Sequence, residues 1–286
     1  MLDTMLLFNN ENTVNQALVP EFYISIVEAF VLSFKSWNSY WEFSKSVHTK
    51  LRYILDNESK EFLNSIIDTC KERTTTIKKG SIVWRAQNGC SFRPCYQEDP
   101  ETGEEIHVDD LECPYPIERM KPLVNSASEG RANAKGIPSL YVATDKETAM
   151  SEIRPWLGSV MSVGQFKVNK DLKIVVFATE KTEKSISHHF YFSEPSEAEI
   201  IESVWFHIDN AFSRPTKVSD LKSDYAPTQI ISEFIKSKGY DGIAYKSSLG
   251  NGHNIALFDL DSADVVHRAI FHTLKINFEF EHIREH

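Results

Sequence analysis

The run Gly130-Arg131-Ala132-Asn133-Ala134-Lys135-Gly136-Ile137-Pro138-Ser139-Leu140-Tyr141-Val142-Ala143, continued by Thr144-Asp145-Lys146-Glu147 and Thr148-Ala149-Met150-Ser151-Glu152, decides how this chain reads. Two glycines and a proline within nine residues shape a turn. Ser139 to Ala143 then reads as a strand, and Thr144 with Glu147 has the spacing of a capping box that opens a helix. That helix is expected to run to about Arg154, where Pro155 ends it. Upstream, Ser81 to Ala86 is short, β-branched and preceded by Gly80, the pattern of another strand. Downstream come strands at 160–168 and 172–178, then a helix from Ser196 to Phe212 capped by Ser196 and Glu199. A further helix from Pro227 to Ser237 stops at Gly239, suited to a left-handed C-cap. Strands at 242–245 and 254–258 and a strand-rich tail over 265–280 complete the order. Strands and helices interleaved in this irregular way predict an α+β domain with a mixed sheet, not a doubly wound parallel one.

Residues 1–76 carry a different pattern. Phe22, Ile26, Phe30 and Phe34 recur four apart, with Val27 and Val31 beside them, so 21–35 is expected to be helical. Two more helices are expected over 37–55 and 59–71. The expected division is therefore a helical region over 1–76 and a catalytic domain over 77–286. Within the latter, about 87–124 is polar and rich in Asp, Glu, Gly and Pro, and reads as a long surface loop beside or over a pocket.

Composition bounds the function. A chain of 286 residues, 41% hydrophobic, is long enough to bury a substantial core. The net charge of −10 argues against a general nucleic-acid binder, which needs a basic surface. No apolar run approaches the ~18 residues needed to span a bilayer, and Met1 to Phe8 carries an Asp but no basic residue, unlike a signal peptide. The expected location is the cytoplasm, with neither nucleic acid nor membrane as partner. Cys70, Cys90, Cys95 and Cys113 lack a CxxC pair and read as reduced thiols rather than zinc ligands.

Several polar residues lie in apolar contexts and need partners. Arg85 ends an apolar strand, so its guanidinium is expected to meet either a ligand anion or an internal carboxylate. Glu152 sits between Met150 and Ile153, with Ala149 and Trp156 expected to face inward, and a carboxylate there is costly unless paired. Arg131 and Asn133 fit ligand binding or turn-holding, and Tyr141 fits a stacking surface or a core aromatic. Ser247, in a loop containing Gly250 and Gly252, can offer a hydroxyl and backbone amides to phosphate, although the spacing is not that of a P-loop.

These blocks together resemble the RES domain. Trp84-Arg85, the 130–141 block, Glu152, Asp241 to Ser247 and the Asn254-to-Phe258 strand match the family's motifs in order, over about 81–260. The long insertion and the helical N-terminal region depart from the compact domain. The resemblance implies an ADP-ribosyltransferase-like fold and a toxin of a toxin–antitoxin pair that breaks the nicotinamide–ribose bond of NAD, with water or phosphate as acceptor. NAD is then the substrate, and neither metal nor further cofactor is implied. The alternatives are ADP-ribose transfer to a macromolecule and a non-catalytic nucleotide-binding role. In the first reading Arg85, Glu152 and Tyr141 are catalytic, and Arg85, Arg131, Asn133 and Ser247 bind NAD or phosphate. An Xre-like antitoxin is the implied partner.

Overall fold

The computed structural model describes residues 33–179, 194–214, 222–277 and 282. Ten strands and six helices of these residues belong to the unit Ser33–His286. In chain order they are α1 (Ser39–Thr49), α2 (Asn57–Thr69), β1 (Thr74–Ile77), β2 (Ile82–Asn88), β3 (Ser91–Glu98), β4 (Glu105–Cys113), α3 (Ile117–Met120), β5 (Leu140–Ala143), α4 (Lys146–Glu152), β6 (Val160–Val168), β7 (Leu172–Val176), α5 (Glu197–Ser213), α6 (Ala226–Ser237), β8 (Gly242–Lys246), β9 (His253–Leu257) and β10 (Ala263–His272). The helix expected over 21–35 lies almost wholly outside the described residues, as does the Met1–Phe8 segment; Ser33 to Lys35 are not helical.

Eight strands form one sheet in the order β1-β7-β8-β9-β5-β2-β6-β10. Only β7 and β8 are parallel; the other neighbours are antiparallel. This is the expected mixed α+β architecture. The parallel pair needs a long crossover, and α5 and α6 occur in it, with their apolar faces on the sheet. The central strands are buried on both faces, which explains their nearly continuous apolar runs. Ile243, Tyr245 and Ala256 point to the helices, whereas Ala244, Ile255 and Leu257 point to the opposite face. That second face is covered by Tyr115 and Met120 from the segment after β4.

The described N-terminal helices, α1 and α2, pack on the core. Phe43 of α1 stacks on Phe62 of α2, with centroids 4.6 Å apart. Both rings lie in one core with Trp205 of α5 and Ile231 of α6. The Trp205 indole N–H donates to Thr69 Oγ1 at 3.1 Å, a buried bond tying α2 to α5. From Ser33 onward the described part of the helical region shares one core with the sheet domain. The apolar stripes of α1 and α2 need a surface to cover, and the outer faces of α5 and α6 supply it.

Two further expectations are corrected. The stretch 87–124 is not a structureless loop: β2 runs through Asn88, and β3 and β4 form a separate two-stranded hairpin. The strands of this hairpin do not line the cavity that holds Arg85; the return segment from Pro116 to Leu123 does. At the start of α4 the N-cap is Asp145, whose carboxylate accepts from Thr148 N at 2.8 Å. Thr144 instead uses its hydroxyl to accept from His253 N at 3.0 Å, holding α4 to β9. The capping box at Ser196 and Glu199 is present as expected. Among the described residues, no helix is long and apolar enough to cross a membrane.

Because Phe43 is 3% exposed and joins α1 to the common core, Phe43→Ala is expected to cost about 3–5 kcal/mol. Denaturant unfolding, followed by both tryptophan fluorescence and far-UV dichroism, should show one transition shifted as a whole. A separate early transition that leaves the sheet intact would contradict the shared core.

Candidate functional site

The sheet is held together weakly at one seam. Strand β2 pairs with β6 along seven residues but with β5 only at Trp84–Ala143. At the next position the Arg85 guanidinium occupies the seam, and its Nη1 donates to the Tyr141 carbonyl oxygen at 2.8 Å. A side chain thus takes an acceptor that a strand would otherwise use. Arg85 Nε is fully shielded and has no hydrogen-bond partner among the described residues, and no carboxylate pairs with the group. The internal Arg–carboxylate bridge is absent among these residues. Burial holds the Arg85 pKa below its ordinary value, since the charged form is the one desolvated. The guanidinium lines a cavity of about 530 Å³ that also contains Gln87, Asn133, Tyr141, Arg119 and Lys121.

Glu152 ends α4 and is half-buried. Its Oε1 accepts from Ser247 Oγ at 2.6 Å and from Asn254 Nδ2 at 2.7 Å. Both donors are neutral and both address the same oxygen, leaving Oε2 without a protein donor among the described residues. The Ser247 hydroxyl also accepts from Leu249 N at 3.1 Å and Gly250 N at 2.9 Å. With its lone pairs used by two amides, its one hydrogen is directed to Glu152. Ser247 is therefore a carboxylate holder, and the Gly-rich loop does not present these amides to a phosphate. Gly252 N is likewise engaged, donating to Thr148 Oγ1 at 3.0 Å. Glu152 lines a second cavity, of about 360 Å³, with Arg131, Arg154, Tyr245 and Asn254. Trp156, expected to face inward beside Glu152, is 63% exposed.

The Gly130–Asn133 block separates the two cavities. Asn133 Nδ2 donates to the carbonyls of Ser128, Ala134 and Ile137, and its Oδ1 accepts from the Tyr141 hydroxyl at 2.7 Å. The Tyr141 oxygen accepts from Ala132 N at 3.0 Å. A Cβ on Gly130 would lie 2.5 Å from that oxygen, so the close approach requires glycine. Arg131 donates through Nη1 to the Phe212 carbonyl at 2.6 Å and through Nη2 to that of Arg214, capping the C-terminus of α5. Asn133 and Arg131 thus hold the turn and the helix end, with Arg131 also reaching the Glu152 cavity. Burial raises the pKa of Tyr141 and of Tyr245, so both remain phenols at ordinary pH.

The predicted residues therefore divide. Arg85, Asn133 and Tyr141 line one cavity, Arg131 and Glu152 the other, and Ser247 stands behind Glu152. Tyr141 lies near both Arg85 and Arg131, and Tyr245 near both Glu152 and Arg131. The sequence reading assigned no role to Asn254 and Tyr245. Their signal was a polar residue within the apolar run 254–258 and a tyrosine in a strand buried on both faces.

The loop that carries Ser247 is clamped onto α4 by the absence of side chains. A Cβ on Gly252 would overlap Asp145 Oδ2, and one on Gly250 would lie 2.7 Å from Thr148 Oγ1. Gly252→Ala should therefore break the Asp145 cap, costing about 1–2 kcal/mol. Denaturant titration checks this, and unchanged stability would mean that the loop does not need the clamp.

Among curated proteins no relative matches the sequence. One solved structure with some similarity is the MbcT–MbcA toxin–antitoxin complex of M. tuberculosis, at a TM-score of 0.38 and 12% identity, over 72% of this chain and 91% of that one. The family model for the RES domain matches residues 112–279, more than half of the chain, a span that contains Glu152, Ser247 and Asn254 but begins after Arg85. The chain belongs to the RES domain family.

Proposed function

We propose that this RES protein cleaves the nicotinamide–ribose bond of NAD, with water or phosphate as acceptor, and acts as the toxin of a toxin–antitoxin pair. The observation that carries the reading is Glu152, a cavity-lining carboxylate that, among the described residues, is held at one oxygen by two neutral donors and by no cation. Loss of nicotinamide leaves positive charge on the ribose, and a fixed carboxylate stabilises that charge as it develops. A cation paired with Glu152 would cancel this effect. Neutral donors fix its position and leave its charge available.

Arg85 supports the same reading from the other cavity. A desolvated guanidinium with no counter-charge among the described residues favours an anion such as the pyrophosphate of NAD. Ser247 is given no part as a nucleophile, because its hydrogen holds Glu152 and its oxygen is occupied by the amides of Leu249 and Gly250. Tyr141 lines the Arg85 cavity, and stacking on nicotinamide is its proposed part. An antitoxin of the Xre-like kind would restrain such an enzyme by offering a carboxylate to Arg85.

Purified protein incubated with NAD should release free nicotinamide. Glu152→Gln removes charge without volume and should lower turnover by about a hundredfold or more. Arg85→Lys keeps the charge but loses the planar fork, and should mainly raise KM, by about tenfold or more. Wild-type turnover in a folded Glu152→Gln protein would refute the assignment, and absence of nicotinamide release from the wild type would refute the activity.

A further inference from the structure

We propose that Asn254 is a positioning residue that fixes which oxygen of Glu152 acts, an assignment that rests on Glu152 being the acting carboxylate. Asn254 lies in β9 between Ala143 of β5 and Tyr245 of β8, the residues that pair with it on either side. Its side chain faces the helices, on the same side as Tyr245 and Ala256. It is 9% exposed in a strand otherwise made of His253, Ile255, Ala256 and Leu257. An amide at such a place costs desolvation that an aliphatic residue would avoid. The hydrogen bond that its side chain makes is the one to Glu152 Oε1, at 2.7 Å. The amide orientation follows from the contact, because turning Oδ1 toward a carboxylate would oppose two acceptors.

The geometry explains why two donors are needed. Glu152 is the last residue of a seven-residue helix, followed by Ile153 and by Arg154 in the left-handed region at φ 49°. A long side chain at a helix end has several rotamers available, and one hydrogen bond fixes an oxygen without fixing the plane of the carboxylate. Ser247 approaches from the loop after β8, and Asn254 from the sheet. Bonds to Oε1 from these two directions leave Oε2 without a donor among the described residues, on a side chain that lines the same cavity as Arg131, Arg154 and Tyr245. Ser247 is held by its own loop amides, whereas Asn254 is held in a strand paired on both sides, so the carboxylate is referenced to the sheet as well as to the loop.

The test compares Asn254→Ala, Asn254→Asp and Asn254→Ser in the full chain. Asn254→Asp keeps the shape and removes the donor; Asn254→Ser keeps a shorter donor. With NAD as substrate, kcat should fall about tenfold in Asn254→Ala and at least as far in Asn254→Asp, while KM stays within about threefold. Asn254→Ser should recover part of the loss. A second readout does not pass through NAD. In protein labelled with ¹³C at glutamate side chains, the Glu152 carboxylate signal, assigned by its loss in Glu152→Gln, should move or broaden in Asn254→Ala. Thermal melts identify any variant that fails to fold, and the soluble variants among the three carry the comparison. An unchanged Glu152 signal, or an Asn254→Asp protein with wild-type kcat, overturns the proposal. A changed signal in a protein whose wild type releases no nicotinamide supports the positioning contact and refutes the NAD reading instead.

Discussion

Glu152 Oε1 is where three distant parts of the chain meet. The end of α4 brings the carboxylate, the loop after β8 brings the Ser247 hydroxyl, and β9 brings the Asn254 amide. Each of these segments is fixed by contacts that make sense only if the other two are present. The loop is pressed onto α4 by Gly250 and Gly252, and α4 is anchored to β9 through Thr144 and His253. Hydrogen bonds to a charged acceptor contribute about 1.5–3 kcal/mol each, enough to order a side chain at the end of a short helix.

The second constraint is the seam between β2 and β5. A sheet gains little by pairing two strands through one residue, and a side chain in the seam adds the cost of a desolvated cation. The surrounding halves bear this cost because each is well paired internally, β2 with β6 and β10 on one side, β5 with β9 and β8 on the other. The result is a molecule that holds a positive group and a negative group, neither neutralised by a charged partner among the described residues, on either side of the Gly130–Tyr141 block. Local rules of folding would pair these charges with partners. Sites that act on charged substrates keep them apart.

Much of this was legible in the residues. The Ser196–Glu199 box, the Gly239 C-cap and the strands of the central sheet depend on local chemistry, and they stand where the spacing put them. Arg85 and Glu152 were legible because charge in an apolar run requires a reason. The hairpin of β3 and β4 was not, since most of its residues on both faces are exposed and it lacks a buried side to impose alternation. The contact of Ser247 with Glu152 was not legible because the two lie 95 residues apart in sequence, and nothing in the loop itself announces a carboxylate. The Asp145 cap was missed for a related reason. Thr144 has the right spacing to Glu147, but β9 claims its hydroxyl first. The packing of α1 and α2 on α5 and α6 is likewise tertiary, and an amphipathic stripe does not say what it covers.

The account stands or falls on positive charge developing at the ribose carbon while Glu152 faces it. The most direct measurement is the secondary isotope effect on nicotinamide release from NAD labelled with tritium at that carbon, determined by competition with unlabelled NAD in the wild-type enzyme. A carbon approaching a cation loosens its hydrogen, so the account predicts a normal effect, with the labelled substrate reacting distinctly more slowly. An effect indistinguishable from unity, with bond cleavage shown to limit the rate, would contradict it.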